Sequence, residues 1–166
     1  AGKTLLARAI HDLSDRRSLP FVTVNANDII DLEGAAKAMA RVRGGTLLIE
    51  EIGDIDHHFQ ARIVRMIDEV SDSTPRFLAT TQGDIAAGLK SRQLRPDLYY
   101  RLCGATLTVP PLRDRVDDIQ LLADHFLTNA ERDGAPMRLL SDEARELFRA
   151  YSWPGNVRQL ENAIRR

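Results

Sequence analysis

The chain has 166 residues, 43% apolar and 28% charged, with 23 lysines and arginines against 24 acids and a net charge of −1. This balance excludes a protein that coats nucleic acid or membrane through bulk charge, and no apolar run approaches the ~20 residues that span a bilayer. A single cysteine, Cys103, excludes an intrachain disulfide and fits a reducing compartment, while the length suits one domain with a sizeable core, or a domain plus a small lid.

In chain order, "AGKTLLARAIHDL" spaces Leu5, Leu6, Ala9, Ile10 and Leu13 as a helix does. "LPFVTVN" (19–25) is β-branched and aromatic and predicts a strand. The stretch 26–43 reads as a helix ended by Gly44 and Gly45. "TLLIE" (46–50) is continuously apolar until its last residue, the pattern of a strand buried on both faces. A helix over 59–70 puts Phe59, Ile63, Met66, Ile67 and Val70 on one face. "RFLATTQ" (76–82) predicts another strand, 98–102 a short helix, and "ATLTVP" (105–110) a fourth strand. Alternating strands and helices predict a parallel α/β sheet. After Pro110 and Pro111 three helical patterns follow, the second with Ser141 as its N-cap. The last has Asn156 and Gln159 at capping-box spacing. A boundary is therefore expected after residue 111, with an α/β part over 1–111 and a helical lid over 112–166.

"AGKT" looks like the tail of a phosphate-binding loop. Gly2 lets backbone amides approach a phosphate, Lys3 reaches the β- and γ-phosphates, and the Thr4 hydroxyl can ligate magnesium. Leu5 follows at the helix start, whose dipole favours an anion. Alone the motif is weak, because an exposed lysine is common. Its weight rises with Glu50 and Glu51, a pair of acids closing a buried strand about 45 residues on. One carboxylate of such a pair holds magnesium and the other polarises the attacking water. Adjacent residues on a strand face opposite ways, so one of the two acids could instead be merely solvated.

"GGTLLIEEIGDI", "RPDLYYRL", "PPLRDRVDDI" and "WPGNVRQLENAI" closely resemble the AAA+ ATPase domain of the sigma-54-dependent, NtrC-type transcription regulators of bacteria. The likeness covers essentially the whole chain. It implies an AAA+ P-loop parallel sheet flanked by helices, then a small all-α lid. ATP and Mg2+ are the implied cofactors, a hexameric ring the implied assembly, and the cytoplasm the implied location. Lys3 and Thr4 match the P-loop residues. Glu50 takes the magnesium position and Glu51 the catalytic one. Asn25 matches the asparagine that switches the catalytic glutamate, and Gln82 the sensor position normally held by Asn. Arg95 and Arg101 match arginine fingers that reach a neighbouring subunit's γ-phosphate, and Arg158 matches the lid's sensor arginine. Without the motif these arginines read as solvated or salt-bridged, and Asn25 as a turn residue. Trp153, Pro154, Tyr99 and Tyr100 read as packing. The histidines at 11, 57, 58 and 125 read as surface or packing residues.

Three departures stand out. The acidic pair is usually Asp-Glu, so Glu50 sets its carboxylate one methylene further out, about 1.5 Å. The family's insertion with its sigma-54-touching GAFTGA loop has no counterpart between Asn25 and Gly45. The central strand that precedes the P-loop is also absent, so the chain is expected to be a piece of a longer protein. A sensory domain before it and a DNA-binding helix-turn-helix after it are expected by resemblance. Three functions follow as alternatives: a ring ATPase, a nucleotide-binding module with little hydrolysis acting with another sigma factor or as a repressor, or a degenerate oligomer scaffold.

Overall fold

The computed structural model describes residues 2–25, 28, 32–69 and 75–165. Contacts divide the chain into Lys3–Thr106 and a second unit holding Leu107–Arg166.

In the first unit the order is α1 (Lys3–Asp12), β1 (Phe21–Val24), α2 (Leu32–Val42), β2 (Thr46–Ile49), α3 (His57–Asp68), β3 (Arg76–Ala79), α4 (Ile85–Lys90) and α5 (Pro96–Leu102). The strands pair in parallel in the order β1-β2-β3, with Val24 opposite Ile49 and Ile49 opposite Ala79. All four residues of β2 are buried, as a middle strand covered on both faces requires. Its alternation divides the two faces. Leu47 and Ile49 join Val22, Val24, Val42, Ile63 and Leu98 in one core. Thr46 points the other way, to α1, where its hydroxyl lies 2.9 Å from His11 Nδ1.

α1 differs from its sequence pattern. It buries Ala7 and His11, whereas Leu5 and Leu13 are 74% and 88% exposed. His11 packs edge-on to Phe21 and covers the sheet in place of the leucines. The expected strand at 105–110 does not form. Among the described residues no strand lies beside it, and extended backbone without a ladder partner is not a strand. Tyr100 is 75% exposed rather than core, because adjacent residues on α5 cannot both face inward and Tyr99 takes the inner position. Residues 26, 27, 29–31 and 70–74 of the expected helices lie outside the described residues.

The entry to β2 is sterically fixed. Thr46 N–H donates to the Pro20 carbonyl at 2.9 Å, and a Cβ on Gly45 would sit 2.0 Å from that same oxygen. Gly45→Ala is expected to cost about 3 kcal/mol, because backbone on both sides must move. A urea titration checks it: a lowered midpoint at unchanged slope supports the account. A variant as stable as the parent would show that this approach is not tight.

The second unit holds α6 (Val116–Arg132), α7 (Asp142–Ala150) and α8 (Asn156–Arg165). Leu112, Ile119, Ala123, Trp153, Leu160 and Ile164 form its core. Trp153 Nε1 donates to the Phe148 carbonyl at 2.7 Å, so its one polar atom is satisfied where it is buried. Ser141 caps α7 by accepting from Ala144 N–H at 3.2 Å. At the start of α8 the Gln159 side chain accepts from Gly155 N–H, one residue earlier than the capping box expects, because Asn156 takes a left-handed φ of 57°.

Candidate functional site

The strand register brings residues 25, 50 and 80 to one level at the carboxyl edge of the sheet. Open parallel sheets receive ligands in crevices at this edge. Asn25 leaves β1 in a tight turn: its N–H donates to Asp28 Oδ2 at 2.9 Å, and Asp28 N–H returns to the Asn25 carbonyl at 3.1 Å. Glu50 N–H extends the ladder by one bond to the Val24 carbonyl.

Glu51 then breaks from extended backbone. Its φ and ψ are 50° and 56°, a left-handed conformation that costs a non-glycine residue of order 1–3 kcal/mol. Thr80 holds it there. Thr80 Oγ1 accepts from Glu51 N–H at 3.1 Å, and the Thr80 carbonyl accepts from Ile52 N–H at 2.9 Å.

This kink answers the geometry left open in the sequence. On a straight strand the two acids would diverge; here both carboxylates meet α1. The Thr4 hydroxyl donates to Glu50 Oε1 at 2.6 Å, and the Lys3 ammonium pairs with Glu51 Oε1. Gly2, immediately before α1, has φ +91°, which glycine adopts without a Cβ clash. Leu5 is exposed on the first turn behind them. Glu51 Oε2 is buried without a hydrogen-bond partner among the described residues. A buried carboxylate oxygen with no donor is costly, so the cluster is one donor or cation short. Hydroxyl and carboxylate oxygens beside an ammonium at a helix N-terminus fit a magnesium-bound phosphate.

The remaining candidate residues lie on other elements. Gln82 is exposed just beyond the end of β3. Arg95 caps the start of α5 and grips Asp97 through Nε and Nη2, at 2.9 and 2.7 Å. Arg101, in the last turn of α5, grips Asp68 in the same way at 2.7 and 2.8 Å and donates a third bond to the Asp97 carbonyl. The hydrogen bonds from Arg101 hold the Asp68 carboxyl below its usual range, and those from Arg95 do the same for Asp97. Within the chain, then, these arginines face Asp97 and Asp68 rather than Glu50 and Glu51. Arg158 belongs to the second unit, exposed on α8, beside a surface depression lined by Gly155, Gln159, Asn162 and Ala163.

Thr80, Asp68 and Asp97 carry this geometry and were not singled out by sequence reasoning. Nor was Gln60, fully buried on α3. Its signal was available: a glutamine beside Phe59 inside an apolar stripe.

A parallel sheet with paired acids at its carboxyl edge, set against a Gly-Lys-Thr helix start, defines a P-loop NTPase fold, here of the AAA+ class. Crystal structures of NtrX from Brucella abortus share it. The complex with ATP superposes with a TM-score of 0.86 at 31% identity, covering 99% of this chain and 44% of that one. The complex with ADP gives 0.87 at 32%, covering 99% and 43%.

The chain belongs to the sigma-54 interaction domain family: residues 1–112 match the model of that name, and 113–166 match the AAA+ ATPase lid domain. Among similar relatives, the DNA-binding transcriptional regulator NtrC of Rhizobium meliloti is 39% identical over 193 residues, 99% of this chain and 40% of that protein. The transcriptional regulatory protein ZraR of Escherichia coli is 38% identical over 194 residues, 99% of this chain and 44% of that protein. The chain thus spans about two fifths of the length of these relatives. Since NtrC aligns over 193 residues and this chain has 166, at least 27 aligned positions have no residue here.

Proposed function

We propose that this chain is the ATP-binding module of a bacterial transcription regulator, hydrolysing ATP slowly between the subunits of a ring. The α/β part over 1–111 binds the nucleotide and the helices over 112–166 form its lid. The observation that carries the reading is the double contact of Lys3 with Glu51 and Thr4 with Glu50.

Lys3 moves from Glu51 to the β- and γ-phosphates, and the amides at Gly2 to Leu5 hold phosphate oxygens. Thr4 and Glu50 would hold the magnesium ion. When bound, that ion neutralises charge developing on the β- and γ-oxygens. Glu51, freed of Lys3, takes a proton from the attacking water at Oε2, the oxygen buried without a partner among the described residues. Asn25, on the adjacent strand end, sets the orientation of Glu51, and Gln82 helps to place the water. By resemblance, Arg158 is the lid residue assigned to the nucleotide. Arg95 and Arg101 leave their carboxylate partners for the γ-phosphate of the next subunit. Surface ion pairs are weak in water, so the exchange is not prohibitive.

The positions missing relative to NtrC, and the short stretch between Asn25 and Gly45, support control of transcription without the usual sigma-54-touching loop. RNA polymerase or another sigma factor is then the partner, and DNA is reached through a helix-turn-helix outside this segment.

A magnesium-ATP titration tests the binding. Lys3→Ala is expected to weaken affinity about 10- to 100-fold, the loss of one charge-assisted contact. Equal affinity in parent and variant would remove the site. A second reading, binding that sets oligomeric state with almost no hydrolysis, is favoured by the direct Thr4–Glu50 bond and the exposed Gln82. Tight binding without phosphate release at any protein concentration would select it.

A further inference from the structure

Gln60 lies on α3, fully buried, on a face otherwise built from Ile63, Val64 and Met66. Its amide is engaged on both sides. Nε2 donates to the Ile55 carbonyl at 2.8 Å and to the Gln93 carbonyl at 2.7 Å. Oε1 accepts from Arg95 N–H at 2.8 Å. A further bond runs from Gln93 Nε2 to the Gly53 carbonyl at 3.0 Å. One buried amide and its neighbour thus tie the 53–55 loop, which leaves Glu51, to the 93–95 segment that carries Arg95.

Packing alone does not call for glutamine here. A methionine or leucine fills a similar volume with no polar group to satisfy. Glutamate has the reach but would set a carboxylate against two carbonyl oxygens. Asparagine is a methylene short. Only a glutamine supplies two donors and an acceptor at this distance from the helix, and every one of those groups is used. The amide is therefore specific for the relation between the two segments rather than for filling the core.

We infer that Gln60 is a positioning residue for Arg95. It holds the backbone at the head of α5 in fixed relation to the loop behind Glu51. A shift of Glu51 on nucleotide binding is thereby passed to the arginine offered to the neighbouring subunit. That last step rests on the reading of Arg95 as acting in trans; the positioning itself does not.

The test uses Gln60→Met in the full chain, with two measurements. In amide hydrogen exchange, the Arg95 N–H loses its acceptor and exchanges roughly tenfold faster, while protection within Lys3–Asp12 is unchanged. Unchanged protection at Arg95 overturns the proposal, whatever the turnover. In subunit mixing, Gln60→Met protein has an intact nucleotide site but a misplaced arginine. Lys3→Ala subunits, which offer intact arginines, restore its turnover, and Arg95→Ala subunits do not. Absence of rescue by Lys3→Ala, in a system where Arg95→Ala is rescued by it, shows Gln60 acting on its own subunit's site and also overturns the proposal. If Arg95→Ala itself is not rescued, the reading of Arg95 in trans has failed, and the exchange measurement alone decides whether Gln60 positions it.

Discussion

Arg101→Ala is expected to lower ATP turnover about 1,000-fold while leaving ATP affinity within about twofold. An arginine supplied to the transferring phosphoryl from a neighbouring subunit contributes on that scale. In the proposed function binding rests instead on Lys3 and Thr4, at the opposite end of the domain sequence. The trans reading needs an accessible, planar donor at Arg101. It stands exposed in the last turn of α5, and its planar guanidinium is presented as a fork by Asp68. Its hydrogen bonds run to Asp68 and the Asp97 carbonyl, not to Glu51. Phosphate release measured over a range of protein concentrations is the check. Turnover per subunit rises with concentration in the parent, stays near background in Arg101→Ala, and returns when Arg101→Ala is mixed with Lys3→Ala subunits. A variant that keeps more than about a tenth of parental turnover would mean that Arg101 only anchors Asp68.

Glu50→Asp is expected to raise turnover, by up to about 100-fold. Displacing a catalytic group by roughly an ångström costs rates of that order, and Glu50 carries one methylene more than the family's usual aspartate. The contact in the structure gives the physical form of that excess. Thr4 Oγ1 and Glu50 Oε1 are 2.6 Å apart, a direct hydrogen bond between the two groups proposed to share an ion. The shorter side chain withdraws the carboxylate and opens room for a hydrated cation. The magnesium dependence of ATP binding supplies a readout separate from rate, and it shifts to lower magnesium concentration in Glu50→Asp. Identical turnover and identical magnesium dependence in parent and variant would show that the extra methylene is absorbed elsewhere.

Much of the fold was legible because its signals are local. The continuous apolar run of β2, the N-cap at Ser141 and the three helical patterns after Pro111 depend on residues within a turn or two of each other. The misses have a common origin in longer range. Leu5 and Leu13 have helical spacing, yet burial on α1 went to His11, whose ring meets Thr46 and Phe21 from other elements. The 105–110 stretch has strand composition, but a strand exists only with a neighbour to pair with. Tyr99 and Tyr100 are chemically alike, and only the direction of α5 separates the inner ring from the outer one.

The candidate site divides along the same line. Which residues are candidates for the chemistry was set by the sequence itself: a lysine and threonine behind Gly2, two acids closing a buried strand, arginines in a distinctive motif. Whether those groups meet was decided by the tertiary structure. Two adjacent carboxylates on an extended chain diverge, because side chains alternate across a strand. They converge on Lys3 and Thr4 only because Thr80, on the neighbouring strand, accepts from the Glu51 N–H and holds that residue in a left-handed turn. A backbone conformation that a lone chain would avoid becomes stable when a hydrogen bond from across the sheet fixes it, and no local pattern around Glu51 records that partner.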